Sequence, residues 1–230
     1  GGTRSSLWTA SPSSSPAAFL VGSTQVPGLP AGVLWSDANI PHINAGGSLA
    51  FRGLLGGTGV GSGHWIGTPS ALSLVALDGN PTGLIPGVNF AGVANDYLMN
   101  SAGVFVFGTS LAGPSVTGSN DLALWQRSPA GVVSLVAREG DQVPGMAPGV
   151  VYASLSTSSL NTDSSGRLVF NASLSGPGFT STNDAVVLSH DSGVITLLAQ
   201  EGTQAPGAAA GVLWGGSFSV TLGGQSAVVL

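Results

Sequence analysis

Apolar residues fall in short runs along the whole chain, broken every few residues by Gly, Pro, Ser or Asn, and no segment sustains a helical period. Within 167–174, Leu168, Phe170, Ala172 and Leu174 share one face, while Arg167, Val169, Asn171 and Ser173 share the other. Phe105, Phe107 and Leu111 repeat the alternation, with Thr109 on the same face. This period of two predicts short strands: at least about 40% strand and under about 5% helix.

The runs recur in register. An aromatic or aliphatic strand comes first, at 6–8, 64–65, 122–125 and 186–188. Next comes an apolar run into a turn, clearest at 135–145 and 197–207, with Asp78-Gly79 in the second unit and Val26-Pro27-Gly28 in the first. A Gly-Val strand follows, opening at Gly32, Gly87, Gly149 and Gly211, spaced by 55, 62 and 62 residues. Last is an octet reading N-x-x-G-x-x-A-F at Asn44–Phe51, with altered copies at 100–107, 163–170 and 221–228. In these turns Asn, Asp or Thr is expected to bond its own backbone two residues on, and Gly to supply a positive φ before the next strand.

Four short strands per repeat predict an all-β fold, a β-propeller of four-stranded blades. About four units are present, near 1–60, 61–118, 119–181 and 182–230, forming one repeat domain. Whole blades are expected near 33–77, 88–138 and 150–200, running Gly-Val strand, Phe strand, Trp strand and Leu-Val-Ala strand. Trp8, Trp65 and Trp125 are then equivalent, as are Trp35, Phe90, Tyr152 and Trp214. The start supplies the last two strands of one blade and the end supplies the first two of another. An arc of a ring of roughly six to eight blades is expected, ahead of a four-bladed ring closed by its termini. A linear sandwich or solenoid is the alternative.

The octet copies, with the Glu-Gly-x-x-x-Pro-Gly copies at 139–145 and 201–207, resemble the bacterial choice-of-anchor tandem-repeat proteins named for the N-x-x-G-x-x-A-F motif. The resemblance covers nearly the whole chain. Only the first unit matches the full octet, and the second has Asn80-Pro81-Thr82-Gly83 in place of the Pro-Gly turn. The strand–turn–strand logic is similar to Tol-type propellers. The resemblance implies an exported or cell-surface bacterial protein with a C-terminal sorting or anchoring signal, and it implies no activity. The chain opens without Met and stops inside an apparent strand, so a piece of a longer protein is expected.

Composition narrows the functional classes. Charged residues make up 7% of the chain, all five cations are Arg, and the net charge is -5, which disfavours nucleic acid. No apolar run reaches the roughly 18 residues of a membrane helix. The absence of Cys removes thiol chemistry and the best zinc ligands. His42, His64 and His190 occupy non-equivalent places, which argues against a metal site. No Asp-rich loop offers the oxygens of a calcium site. Ser189-His190-Asp191 cannot act as a nucleophile–base–orienter chain, because neighbours on a strand point to opposite faces. Asp78, Glu139 and Glu201 recur before Gly79, Gly140 and Gly202, as structural acceptors for backbone N–H groups recur. Asn120-Asp121 and Asn183-Asp184 precede equivalent strands. Gly56–Gly63 lacks Lys and opens no helix, so it reads as a blade connection, not a phosphate loop. Asn171-Ala172-Ser173 is a glycosylation sequon in form only, inside a strand.

No catalytic, cofactor-binding or metal-binding residue is assigned. The expected function is a non-enzymatic extracellular or cell-surface scaffold that binds a protein or polysaccharide. The alternative is part of an extracellular hydrolase or lyase whose site lies in blades outside this chain.

Overall fold

A computed structural model describes residues 6–10, 15–223 and 226–229. Strand occupies 53% of the described residues, and no helix forms among them. The strands group into five antiparallel sheets that do not join into a closed barrel. The first is a pair, β1 (Ser6–Thr9) with β2 (Ala17–Val21). Sheet one follows, with β3 (Val33–Ile43), β4 (Leu49–Gly57), β5 (Ser62–Thr68) and β6 (Ala71–Leu77) in chain order. Sheet two repeats that order with β7 (Asn89–Met99), β8 (Phe105–Ala112), β9 (Leu122–Arg127) and β10 (Val133–Arg138). Sheet three holds β11 (Val151–Leu155), the two-residue β12 (Asn161–Thr162), β13 (Leu168–Ser175), β14 (Ala185–Asp191) and β15 (Val194–Gln200). A final pair joins β16 (Val220–Gly223) to β17 (Ser226–Val229). The three full sheets fall within one residue of the spans expected from sequence, because the turns that punctuate the chain are where its strands end.

Equivalence between units is visible in the hydrogen bonding. Trp35, Phe90, Tyr152 and Trp214 each donate their N–H to the carbonyl of Thr24, Asn80, Asp141 or Thr203, and each accepts from Ser23, Gly79, Gly140 or Gly202. Trp8, Trp65, Trp125 and Leu188 each sit beside a one-residue bulge in the partner strand, facing Ala18, Leu74, Leu135 and Leu197. The equivalence is geometric and not energetic. Trp8 is 61% exposed, whereas Trp65 and Trp125 are 1% and 0% exposed, since among the described residues β1 and β2 pair without the two further strands of the full sheets.

Two turn devices fix the register. In the octet turns Asn44 and Asn100 accept from the N–H four residues on, at Ser48 and Val104, not two residues on as expected. Asp163 accepts at both distances, from Ser165 and Arg167. The longer reach closes the hairpin mouth, and Gly47, Gly103 and Gly166 follow at φ +78°, +86° and +93°. The fourth copy includes residues 224 and 225, which lie outside the described residues. In the Pro-Gly loops one Gln closes each ring. Gln25, Gln142 and Gln204 accept from Gly32, Gly149 and Gly211, and donate back to carbonyls such as those of Pro30, Ala147 and Ala209. The second unit has Pro81 there, and Thr82 takes over by accepting from Ile85. Gly56–Gly63 joins β4 to β5 within one sheet, whereas the sequence reading expected it to connect one sheet to the next.

The core falls into separate clusters, each shared by two neighbouring units. Phe90, Phe105, Phe107 and Trp125 pack with Ala50, Ile66 and Ala76 of the preceding sheet. Val104, Val106 and Leu124 pack likewise with Tyr152, Leu168 and Phe170. Tyr152 is 2% exposed and its hydroxyl makes no hydrogen bond among the described residues. Burial pushes the phenol up to about 12, and the Asp141 charge adds to this. Tyr152→Phe is therefore expected to leave stability unchanged or raise it by about 1 kcal/mol, because an unsatisfied buried hydroxyl carries a desolvation cost. A urea unfolding free energy that falls by about 1 kcal/mol or more would mean the hydroxyl has a partner.

Candidate functional site at the unit junctions

Each full sheet docks its first strand on the sheet before it, and polar side chains gather at these seams. Every first strand is irregular at matching points. One residue bulges after Trp35, Phe90 and Tyr152, and a larger irregularity follows beyond Asn39, beyond Val93 and beyond Leu155. Bulges of this kind re-aim side chains locally. Ile40 lies in the first of the larger ones, half exposed and at φ +47°, a conformation unusual for a β-branched residue.

Tyr97 holds that bulge from the next unit. Its hydroxyl lies 2.6 Å from the carbonyls of Asn39 and Ile40 and accepts from the Arg52 N–H. Burial pushes this phenol up to about 12, opposed by Arg52, so it remains a donor throughout the physiological range. The Arg52 side chain donates to the Val93 carbonyl at 2.6 Å and to Ser62 Oγ at 3.0 Å. Asp78 completes the cluster by accepting from the N–H of Ser62 and the N–H of Val93. At the next junction Glu139 accepts from the Leu155 N–H, at the place equivalent to Val93. Burial pushes Glu139 above the ordinary carboxylate range, and the Leu155 N–H opposes this. Asp78 and Glu139 are thus the backbone acceptors that the sequence pattern anticipated. They bind across the junction, which the pattern did not reveal.

One register position shows three solutions to the same packing problem. Arg52, Gly108 and Asn171 each follow the buried Phe of the second strand, at Phe51, Phe107 and Phe170. Arg52 reaches the next unit as described, and Asn171 donates to the Phe218 carbonyl. Gly108 leaves room for Thr157, whose Cγ2 lies 2.3 Å from where a Cβ on Gly108 would sit. Thr157 uses that room to donate to Asp96 Oδ2 at 2.6 Å. Asn171 spends its amide N–H in this way, so the sequon has a structural role.

The histidines are placed by packing. His64 is fully buried, with its ring edge-on to Tyr97, Phe105 and Phe107 at 4.7, 5.3 and 5.2 Å. His42 also packs on Tyr97, at 5.3 Å, and burial lowers its pKa. His190 is buried at the end of β14. Burial lowers its pKa and Asp191 opposes this. Ser189 and His190 are buried while Asp191 is exposed and accepts from Ser192, so the three do not form a relay. Among the described residues no three His, Asp or Glu side chains are grouped to hold a metal ion. Asn120 and Asn183 cap equivalent turns, accepting from Thr117 and Thr180.

Sequence reasoning missed Arg52, Tyr97, Gln25 and Gln142. The repeated Gln two residues before Pro-Gly was a readable signal. Arg52 and Tyr97 belong to no repeat and left none.

Between junctions lie shallow clefts. One of about 190 Å³ separates sheets one and two at their octet turns, and one of about 240 Å³ occupies the equivalent place between sheets two and three. Among the described residues no helix is long and apolar enough to cross a membrane. No curated protein and no solved structure matches the chain. One family model matches residues 1–229, nearly the entire sequence, and the chain belongs to that family, DUF7453, described as a family of unknown function.

Proposed function

We propose that this chain is a non-enzymatic, secreted or cell-surface β-propeller array, an arc of a larger ring, that holds a protein or polysaccharide partner on its exposed loops and turns. The observation that carries this reading is the repeated docking of each four-stranded sheet on its predecessor through backbone-directed side chains, Arg52, Asp78 and Glu139. Those groups are committed to holding units together. The turn edges, which face solvent, differ from unit to unit in side chain while keeping one backbone frame. A common frame with variable edges suits recognition more than chemistry. The bacterial, exported character rests on the resemblance of the octets to choice-of-anchor repeats.

The test is fractionation of the source cells with an antibody against the chain, followed by an assay of the recovered protein for polysaccharide or ester cleavage. The expected result is recovery in the medium or outer surface fraction with no products released. Recovery inside the cell, or catalytic turnover, would overturn the reading.

A further inference from the structure

The five Arg are the only cations besides His, and those at 52, 138 and 167 are each engaged. Arg52 bonds Val93 and Ser62, Arg138 bonds the Asn120 carbonyl beside Asp141, and Arg167 pairs with Asp163 at 3.2 Å. Arg127 is different. It is half-buried at the end of β9, its one side-chain hydrogen bond is a 3.4 Å contact with the neighbouring Ser128 carbonyl, and no carboxylate pairs with it among the described residues. Burial alone weakens its hold on the proton, with no acid opposing, yet a guanidinium stays charged at neutral pH.

Arg127 lines the cleft of about 190 Å³ between sheets one and two. Asn44, Ser48, Ser73 and Gly103 line the same cleft, with the apolar Ile66, Ala71 and Pro129. Asn44 spends its Oδ1 on the Ser48 N–H, and its amide N–H groups form no hydrogen bond among the described residues. They lie 3.0 Å from where a Cβ on Gly103 would sit, so Gly keeps that wall open. The Ser48 and Ser73 hydroxyls likewise make no hydrogen bond among the described residues. The cleft thus gathers an unpaired planar cation, an amide donor and two hydroxyls, and no acid lines it. Its volume is below the roughly 300 Å³ of a drug-sized site and suits a single polar ring.

We propose that this cleft is a subsite for one uronate residue of an acidic polysaccharide. The carboxylate takes the Arg127 guanidinium fork, and the Asn44 amide and the two serines take ring hydroxyls. A guanidinium matches a carboxylate through two parallel N–H bonds. The inference deepens the binding reading above and rests on it. A sugar is favoured over a peptide carboxylate because the polar side chains beside Arg127 are two hydroxyls and an amide, which match ring hydroxyls, while Ile66, Ala71 and Pro129 offer an apolar surface for the face of one ring. The equivalent cleft between sheets two and three carries Asp191 and no cation, so it repels a carboxylate, and one uronate site among the described residues follows.

The test is calorimetric titration of the full chain with trigalacturonate, with neutral galactotriose, and with a short peptide bearing a free C-terminal carboxylate. The expected result is one trigalacturonate site, weakened by added salt, with the other two ligands at least about tenfold weaker. Arg127→Gln is expected to lose at least about tenfold, while Arg127→Lys keeps part of the affinity as a point charge. Ser73→Phe, which fills the cleft and leaves the guanidinium, is expected to lose as much, and Asp191→Asn in the other cleft is expected to change nothing. Melting curves distinguish loss of the site from loss of the fold. Absence of trigalacturonate binding at millimolar concentration, equal binding by Arg127→Gln, or a peptide that binds as tightly would overturn the inference. Surface recovery without such binding would leave the proposed function standing.

Discussion

Phe107→Ala is expected to cost about 3–5 kcal/mol. The side chain is fully buried at the middle of β8. It stacks on Trp125 at 6.4 Å and on Phe105 at 5.3 Å, and it meets His64 of the preceding sheet edge-on at 5.2 Å. Truncation removes ring contacts on both sides of a junction and leaves a cavity that two sheets would have to close together. Small domains hold only about 5–15 kcal/mol in total, so a large share of stability is at stake. Because stability in such arrays is a sum of unit and neighbour terms, the loss should appear in the unfolding of sheets one and two together. Urea unfolding followed by Trp fluorescence reads the effect. A loss below about 1 kcal/mol would mean that the ring is not shared between sheets.

Arg52→Met is expected to cost about 2–4 kcal/mol. The substitution keeps the apolar stem and removes the N–H groups. The Val93 carbonyl loses its 2.6 Å donor and keeps only the Ser62 hydroxyl at 3.1 Å, and Ser62 Oγ, which also bonds Asp78, loses the guanidinium inside the seam. The comparison residue is Asn171, whose single bond to the Phe218 carbonyl predicts a smaller loss, about 1 kcal/mol for Asn171→Ala. Equal losses at the two sites would show that the Arg52 cluster adds nothing beyond one hydrogen bond.

The contrast between these residues explains what was legible in the sequence. Features that every unit must repeat were readable. The apolar alternation of 167–174, the Gly-Val starts and the octet turns placed the three full sheets and the equivalent aromatics. They recur because each unit has to solve the same hairpin and burial problem. The reach of Asn44 to Ser48 was misjudged, since the same residue type can close a turn at either distance. Junction chemistry was not readable. Arg52, Gly108 and Asn171 occupy one structural position with three unrelated side chains, and each works only with its own partner, Val93, Thr157 or Phe218. Such a position leaves no repeat pattern, because each partner lies about 40–50 residues away in the next unit and is of a different residue type. Arg127 was visible only as one of five scattered cations. Its isolation emerges when the other described arginines are seen to be engaged.

The central claim is that successive sheets are blades turning about one axis. The chain has no Cys, so pairs of introduced cysteines can carry spin labels without background. Ser73, Ser134 and Thr196 are exposed, lie on the outer strands β6, β10 and β15, and face Ile66, Gln126 and Ser189 in matching register. Pulsed dipolar spectroscopy on the three label pairs gives two single-step distances and one double-step distance. An arc of a six- to eight-bladed ring predicts equal single steps and a double step of roughly 1.7–1.9 times their length. A double step of twice the single step, or single steps that differ by several ångströms, would contradict the account and describe a straight or irregular stack.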